Sequence, residues 1–178
     1  MNLNRIVLKI ERKIKKMINK QDVIKVNYSK YNINKLLDLA EEQIKNAKCL
    51  RRKYGAVLID KNKNIVSTGY NSAPNCLEDC EKIGKCKREE LNVPHGERYE
   101  LCRSIHAEQR CIIGQPVEKT KHGILFLVGK EHTGEHIKNI DCCEICKKII
   151  LEAGIDFVVF RLDNWASFKI IETKDWKI

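Results

Sequence analysis

The sequence predicts an α/β domain of three layers, in which helices pack on the faces of one mixed β-sheet. Its length of 178 residues is typical of a single domain and is sufficient for a sizeable core. An apolar content of 43% and a charged content of 33% exclude a disordered or fibrous chain. The third observation is the order of the predicted elements, in which helices are interspersed with strands along the chain.

Each predicted element rests on a local pattern. Apolar residues three and four positions apart predict helices, whereas short β-branched runs beside turn residues predict strands. In chain order, the elements are a helix over 33–47, strands over 55–60 and 65–70, a helix from about 106, a strand over 124–129, a helix over 143–153 and a strand over 157–161. We expect Lys61–Asn64 to form a hairpin turn and Ser104 to cap the second helix.

The net charge of +10 is unevenly distributed. Residues 1–30 hold nine Lys and Arg against two acidic residues, and therefore seven of the ten net charges. Apolar residues recur there at helical spacing, at Leu3, Val7, Ile10, Ile14 and Met17. We therefore predict a basic amphipathic extension over 1–30 and a domain over 31–178. Such a helix can bind a membrane surface or nucleic acid, but five apolar residues on one side favour packing against protein.

The termini and cysteines indicate a compartment. The longest clear apolar runs, Ile124–Val128 and Phe157–Phe160, are far shorter than the roughly 20 residues of a membrane-spanning helix. Because basic residues interrupt the N-terminal region, we do not expect it to be a secretory signal. We expect a reducing cytoplasm, where the nine cysteines are more consistent with metal ligands or a nucleophile than with disulfides.

The strongest motif combines His106-Ala107-Glu108 with Cys143-Glu144-Ile145-Cys146. One His and two Cys form a zinc-binding set that leaves a fourth position for water, as in catalytic sites. Glu108 is placed to move protons to and from that water. The pattern matches the zinc deaminase signature. A structural zinc site is the alternative, and it would need a fourth protein ligand; Cys142 also competes with Cys143 as a ligand.

Longer stretches carry a family resemblance. They are Cys49–Val57, Ser67–Pro74, Glu90–Pro94, Gly96–Arg98, Glu100–Arg103 and His106–Gln109. On these residues, the chain resembles the deoxycytidylate (dCMP) deaminase branch of the cytidine deaminase superfamily, and in particular its bacterial competence-associated members. The resemblance covers about 33–161 and implies a cytidine deaminase-like α/β/α fold with a central mixed five-stranded sheet.

The resemblance also implies a reaction, the zinc-dependent hydrolysis of dCMP to dUMP and ammonia. Glu108 would carry protons to N3 of cytosine and to the leaving amine. Asn71 would hydrogen-bond the sugar, and the backbone N–H of Ala107 would hold the pyrimidine carbonyl. Members of this branch are often homo-oligomers that dCTP activates and dTTP inhibits. Cys142 stands where the family usually has Pro, and Tyr54 where it usually has Val.

The remaining cysteines flank or lie in a polar insertion at about 71–103. Because several relatives bind a second, structural zinc there, the expected ligands are Cys49, Cys80, Cys86 and Cys102, with Cys76 or His95 as a substitute. Otherwise some of them are free thiols, which commonly pack as small apolar groups.

Two other functions remain open. One is deamination of another cytosine or adenine nucleotide, or of tRNA or single-stranded DNA, with the basic helix as a binding arm. The low aromatic content of 6% counts against nucleic acid, because base stacking needs aromatic side chains. The other is a non-catalytic zinc module used in assembly, which the presence of Glu108 disfavours.

Overall fold

A five-stranded mixed sheet forms the centre of the domain in a computed structural model that describes residues 30–94, 96–162 and 167–178. The strands are β1 (Arg52–Ile59), β2 (Ile65–Tyr70), β3 (Ile124–Glu131), β4 (Phe157–Arg161) and β5 (Phe168–Glu172). Their order across the sheet is β2-β1-β3-β4-β5. Only β3 and β4 pair in parallel; the other neighbouring pairs are antiparallel. The mixed five-stranded sheet is therefore confirmed.

Six α-helices accompany the sheet within the described residues. They are α1 (Lys30–Gln43), α2 (Cys80–Ile83), α3 (Lys87–Glu90), α4 (Ala107–Ile112), α5 (Val117–Thr120) and α6 (Glu144–Glu152). Short 3₁₀ turns occupy Ile44–Asn46, Tyr99–Leu101 and Thr173–Asp175. No helix in the described ranges is long and apolar enough to cross a membrane.

The β1–β2 hairpin forms where the sequence predicts it because Asp60 organises the turn. One carboxylate oxygen of Asp60 accepts the backbone N–H groups of Asn62 and Asn64, at 2.8 and 2.9 Å. The Asp60 N–H in turn donates to the Asn64 carbonyl at 2.9 Å. Short polar side chains that bond their own backbone in this way are typical of turns.

Buried side chains form two apolar clusters, one on each face of the sheet. The first brings residues of α1, such as Ile33 and Leu37, against Val57, Phe126 and other strand residues. The second unites buried residues of α4 and α6 with the opposite face of the strands. This arrangement of helix, sheet and helix confirms the three-layer prediction.

The helices approach the strands closely at two glycines. A side chain at Gly55 of β1 would overlap the carbonyl oxygen of Ala40 in α1, and one at Gly69 of β2 would overlap that of Ala107 in α4. The two contacts lie on opposite faces of the sheet. The absence of a Cβ therefore sets the distance of each helical layer from the hairpin.

Two details differ from the sequence-based expectations, and one expectation stays untested. His106, and not Ser104, is the N-cap of α4, because the helix begins only at Ala107. Local patterns predict four strands, and the family resemblance implies a fifth without placing it; the structure places it at β5. The predicted extension over 1–30 lies almost entirely outside the described residues, so the domain boundary stays a prediction.

Candidate active site

His106, Cys143 and Cys146 meet where the N-termini of α4 and α6 lie side by side. His106 is the N-cap of α4 and Cys143 the N-cap of α6, and Cys146 lies in the first turn of α6. The Nδ1 atom of His106 is 3.5 Å from the Cys143 Sγ and 3.4 Å from the Cys146 Sγ. One ligand atom from each residue lies within 4.8 Å of the other two.

Local hydrogen bonding fixes the backbone that carries His106. The Gln109 Oε1 accepts the His106 backbone N–H at 2.9 Å, which closes a capping box at the start of α4. Because Cys143 and Cys146 are three residues apart around the first turn of α6, their thiols fall on the same side of the helix. Two helix starts therefore present one nitrogen and two sulfurs to a common point.

The donor set fits a zinc ion. Tetrahedral zinc with Zn–N and Zn–S bonds of roughly 2.1 and 2.3 Å requires N and S atoms about 3.5 Å apart. The two N–S distances in the structure, 3.5 and 3.4 Å, match that requirement without rearrangement. Three protein ligands leave one coordination position for water, which is the pattern of catalytic rather than structural zinc.

Thiol acidity at the site also suits a cation. The pKa of Cys143 is lowered to about 4, mainly because the Cys146 thiol hydrogen-bonds to it, and His106 adds to the effect despite burial. Burial alone would lower the pKa of His106, but hydrogen bonds to Cys102 and Cys143 raise it to about 10. Both shifts favour the charged forms, a thiolate at Cys143 and a protonated ring at His106, and a metal ion would take the place of the proton on Nδ1.

Glu108 lies beside this group on α4 and is only 4% exposed. Burial raises the pKa of its carboxyl above the ordinary value of 4.5. A carboxyl whose charged form is disfavoured can hold a proton as well as release it, as acid–base catalysis requires.

Cys142 occupies a different environment from its neighbour Cys143. It is 4% exposed and belongs to the apolar cluster beneath α4 and α6. Burial, followed by the nearby Glu108, raises the pKa of its thiol well above the ordinary value. Among the described residues, the group of converging ligand atoms contains Cys143 and not Cys142.

A cleft with a cavity volume of about 100 Å³ opens over the site and is lined by His106, Glu108, Cys143 and Asn71, among others. Asn71 is 5% exposed. The Asn71 Oδ1 accepts the Tyr54 N–H at 2.7 Å, and its Nδ2 donates to the Arg52 carbonyl at 2.8 Å. The same side chain thus joins the start of β1 to the end of β2 and borders the cleft.

Ala107 is positioned differently from the other predicted substrate-binding residue, Asn71. Its side chain is fully buried in the apolar cluster under α4, and it does not line the cleft. Only its backbone N–H, at the first position of α4, is available for a role toward substrate.

The four cysteines predicted for a second metal all line the same cleft; they are Cys49, Cys80, Cys86 and Cys102. Burial raises the pKa of Cys80 to about 11, and the three other thiols are near enough to raise it further. The structure therefore brings the four into one region. Across the described residues, however, only the His106 group has ligand atoms that converge tightly enough to hold a metal as placed. Cys76 is exposed, and His95 is outside the described residues.

Two further residues border the cleft that sequence reasoning did not select as site residues. Tyr99 contacts the His106 ring edge-on, with centroids 5.3 Å apart. Arg88 is 7% exposed, and its guanidinium lies 4.6 Å from the centre of the Tyr99 ring. Both belong to the polar, charged insertion, where no periodicity distinguishes a buried side chain from a solvated one.

Comparison with known proteins identifies the family. The model of the cytidine and deoxycytidylate deaminase zinc-binding region matches residues 30–162. The chain belongs to this family. Its zinc-binding character agrees with the converging His and Cys ligands described above.

Two curated relatives are similar over part of their length. A deoxycytidylate deaminase of Schizosaccharomyces pombe is 27% identical over 128 residues, which are 70% of this chain and 35% of the relative. A deoxycytidylate deaminase of Saccharomyces cerevisiae is 25% identical over 144 residues, or 76% of this chain and 40% of the relative. The chain thus spans less than half the length of these relatives.

Two solved structures share the fold. They are the dCMP deaminase of the cyanophage S-TIM5 in its apo form and in complex with dCMP and dUMP. Both have a TM-score of 0.50, with identities of 22% and 23%. They cover 73% and 72% of this chain, and 82% and 79% of their own. The likeness confirms the cytidine deaminase-like fold.

Proposed function

We propose that this protein is a zinc-dependent hydrolase that converts dCMP and water to dUMP and ammonia. The observation that carries the proposal is the buried carboxyl of Glu108 beside converging His106, Cys143 and Cys146 ligands at the floor of an open cleft. The family match and the names of the relatives and of the solved structures support this substrate.

His106, Cys143 and Cys146 would hold the zinc ion. When bound, zinc supplies a Lewis acid that lowers the pKa of a water in its fourth coordination position to near neutrality. The N-terminus of α6 adds positive potential at Cys143, which stabilises thiolate ligands.

Glu108 performs the proton transfers in this proposal. It accepts a proton from the water that attacks C4 of cytosine and delivers it to N3. It then takes the remaining proton of that water, now on the hydroxyl of C4, and delivers it to the amine. The amine leaves as ammonia when the C4–N bond breaks and the C4 carbonyl forms. A single carboxyl suffices because it alternates between its charged and neutral forms, and its burial brings these closer in free energy.

Asn71 and Ala107 would orient the nucleotide. Each Asn71 amide atom that bonds the backbone keeps one unused hydrogen-bonding position, because an amide has two donor hydrogens and two acceptor lone pairs. These positions are suited to a sugar hydroxyl. The backbone N–H of Ala107 is one of the free donors at the start of α4 and would bind the pyrimidine carbonyl.

A second, structural zinc on Cys49, Cys80, Cys86 and Cys102 forms part of the proposal. It is supported by the grouping of the four thiols around one cleft and by their position in a polar insertion that lacks an apolar core of its own. Purified protein should then hold about two zinc ions per chain. The Cys80→Ser variant should hold one, and a ratio near one in the unaltered protein would exclude the second site.

The predicted assembly and regulation follow from the family resemblance: a homo-oligomer that dCTP activates and dTTP inhibits, in pyrimidine deoxynucleotide metabolism. The predicted cytoplasmic location follows instead from the N-terminal region and the nine cysteines. Sedimentation of the purified protein tests the assembly, and assays with each effector test the regulation.

The central experiment incubates the zinc-loaded full chain with dCMP, dCTP, deoxycytidine, CMP, tRNA and single-stranded DNA, while base conversion is followed. We expect dCMP to be the best substrate and Glu108→Gln to be inactive with zinc retained. Conversion of tRNA or single-stranded DNA without conversion of any nucleotide would favour nucleic-acid deamination. Zinc binding without conversion of any of these substrates would favour a non-catalytic zinc module used in assembly.

A further inference from the structure

The orientation of the His106 ring decides whether its nitrogen reaches the metal. Its Nδ1 faces Cys143 and Cys146, so a rotation of the ring plane about the Cβ–Cγ bond would turn the nitrogen away from the metal position. The Cys102 thiol hydrogen-bonds to the same ring, and a second contact would hold the ring plane. That torsion is broad in histidine and is set by the surroundings. Partners outside the ligand set that fix a histidine ring commonly change metal affinity when they are removed.

Tyr99 supplies such a contact. Its ring meets the imidazole of His106 at a centroid distance of 5.3 Å and an interplanar angle of 80°. This edge-on geometry is the favourable arrangement for two aromatic rings. The contact resists rotation of the imidazole, because a turned ring loses the edge-to-face fit.

Arg88 also contacts the ring of Tyr99. The guanidinium lies 4.6 Å from the centre of the Tyr99 ring. One of its nitrogens donates to the carbonyls of Pro94 and Glu97, at 3.0 and 2.6 Å. No carboxylate pairs with Arg88 among the residues described. Its placement is therefore explained by the insertion backbone that it ties together and by the ring on which it lies.

We propose that Tyr99 is a positioning residue for the metal ligand His106, and that Arg88 fixes Tyr99. The Cys-rich insertion then does more than cover the cleft, since Tyr99 adds a ring contact to the hydrogen bond from Cys102 and so helps to keep Nδ1 directed at the metal. This inference rests on the proposed function, because it takes His106 as a ligand.

Cobalt binding to the full chain tests the proposal independently of turnover. Co²⁺ replaces zinc with visible absorption bands that report ligand geometry. The part of the Co²⁺ absorption that is lost in the His106→Asn variant is the part that comes from this site. We expect Tyr99→Leu to bind Co²⁺ about three- to tenfold more weakly at this site, in line with the energy of one aromatic contact, and to shift its bands. Tyr99→Phe keeps the ring and should behave as the unaltered protein.

Tyr70 provides the matched control. Its ring lies under another guanidinium, that of Arg110, at 5.1 Å. Tyr70→Leu therefore removes a similar cation–π pair without a ring contact to His106, and should leave the cobalt bands unchanged.

Unchanged affinity and bands in Tyr99→Leu would overturn the proposal. If that variant does not fold, Arg88→Met compared with Arg88→Lys decides by the same readings, with a smaller shift expected for lysine. Failure of the unaltered protein to bind Co²⁺ through His106 would instead refute the proposed function.

Discussion

The two faces of the sheet are built differently. The face under α1 is covered by one regular helix of 14 residues and an apolar cluster that continues across the strands. The other face carries short helices, the cleft and the site ligands. We therefore expect one side of the sheet to provide most of the stability and the other side to carry the proposed chemistry. Because the strands are common to both, each face can be altered separately to test this division.

Charge follows the same division. On the α1 face, the buried side chain of Arg161 pairs with Asp38 and Glu41, and Glu41 also contacts Lys130 and His136. Opposite charges there neutralise one another. Around the cleft, by contrast, the carboxyl of Glu108 is buried and its pKa is raised mainly by that burial, which suits a group that must exchange protons.

The largest expected effect is on the catalytic face. Glu108→Gln should lower kcat by about 10²- to 10⁴-fold, because the amide cannot transfer protons. Zinc content and the urea midpoint should stay close to those of the unaltered protein. Initial rates of dCMP conversion, together with metal analysis, measure both. Activity within a few-fold of the unaltered protein would remove Glu108 from the mechanism.

Arg161 tests the α1 face. Replacement by Met should destabilise the fold by about 2–4 kcal/mol, because the buried end of β4 loses its ion pairs and hydrogen bonds to α1. Urea denaturation measures the loss. The folded variant should keep its kcat, since Arg161 does not line the cleft. A stability within 0.5 kcal/mol (about the error of such measurements) would show that the network contributes little.

The two glycines compare the faces directly. Gly55→Ala and Gly69→Ala should each cost about 1–3 kcal/mol, because the new methyl group displaces a helix. Only Gly69→Ala moves α4, which carries Glu108, so only this variant should also lose kcat. Denaturation and rates per folded molecule measure the two effects. Equal kcat losses in both variants would contradict the division between the faces.

The smallest effect concerns Glu41. Burial raises the pKa of its carboxyl, but hydrogen bonds from Lys130 and His136 outweigh burial and lower it below the ordinary value of 4.5. Its stabilising contribution is therefore complete above about pH 4.5 and is lost as the pH falls through the lowered pKa. Because the pair is partly exposed, we expect less than about 1 kcal/mol. Between pH 6 and pH 3, the free energy of unfolding of the unaltered protein should fall toward that of Glu41→Gln. A difference between the two proteins that stays constant over this range would refute the prediction.

Much of the structure was predictable from local patterns. The β1–β2 hairpin, strand β4 and helix α6 follow from short-range periodicity and turn chemistry, and they lie within a few residues of their predicted bounds. The convergence of His106, Cys143 and Cys146 was predictable for a similar reason, because the two cysteines share one helical turn and the histidine directly precedes the helix of Glu108. By contrast, no local pattern indicates that His136 lies partly buried against Glu41 of α1.

The sequence by itself determined the motifs, the order of most elements and the chemistry of the ligand set, because these depend on neighbours along the chain. The tertiary structure alone decided which thiol of Cys142 and Cys143 faces His106, and that Tyr99 and Arg88 border the site. The physical reason is that burial and orientation depend on segments distant in sequence. A polar insertion carries no periodic signal of which side chains it will bury.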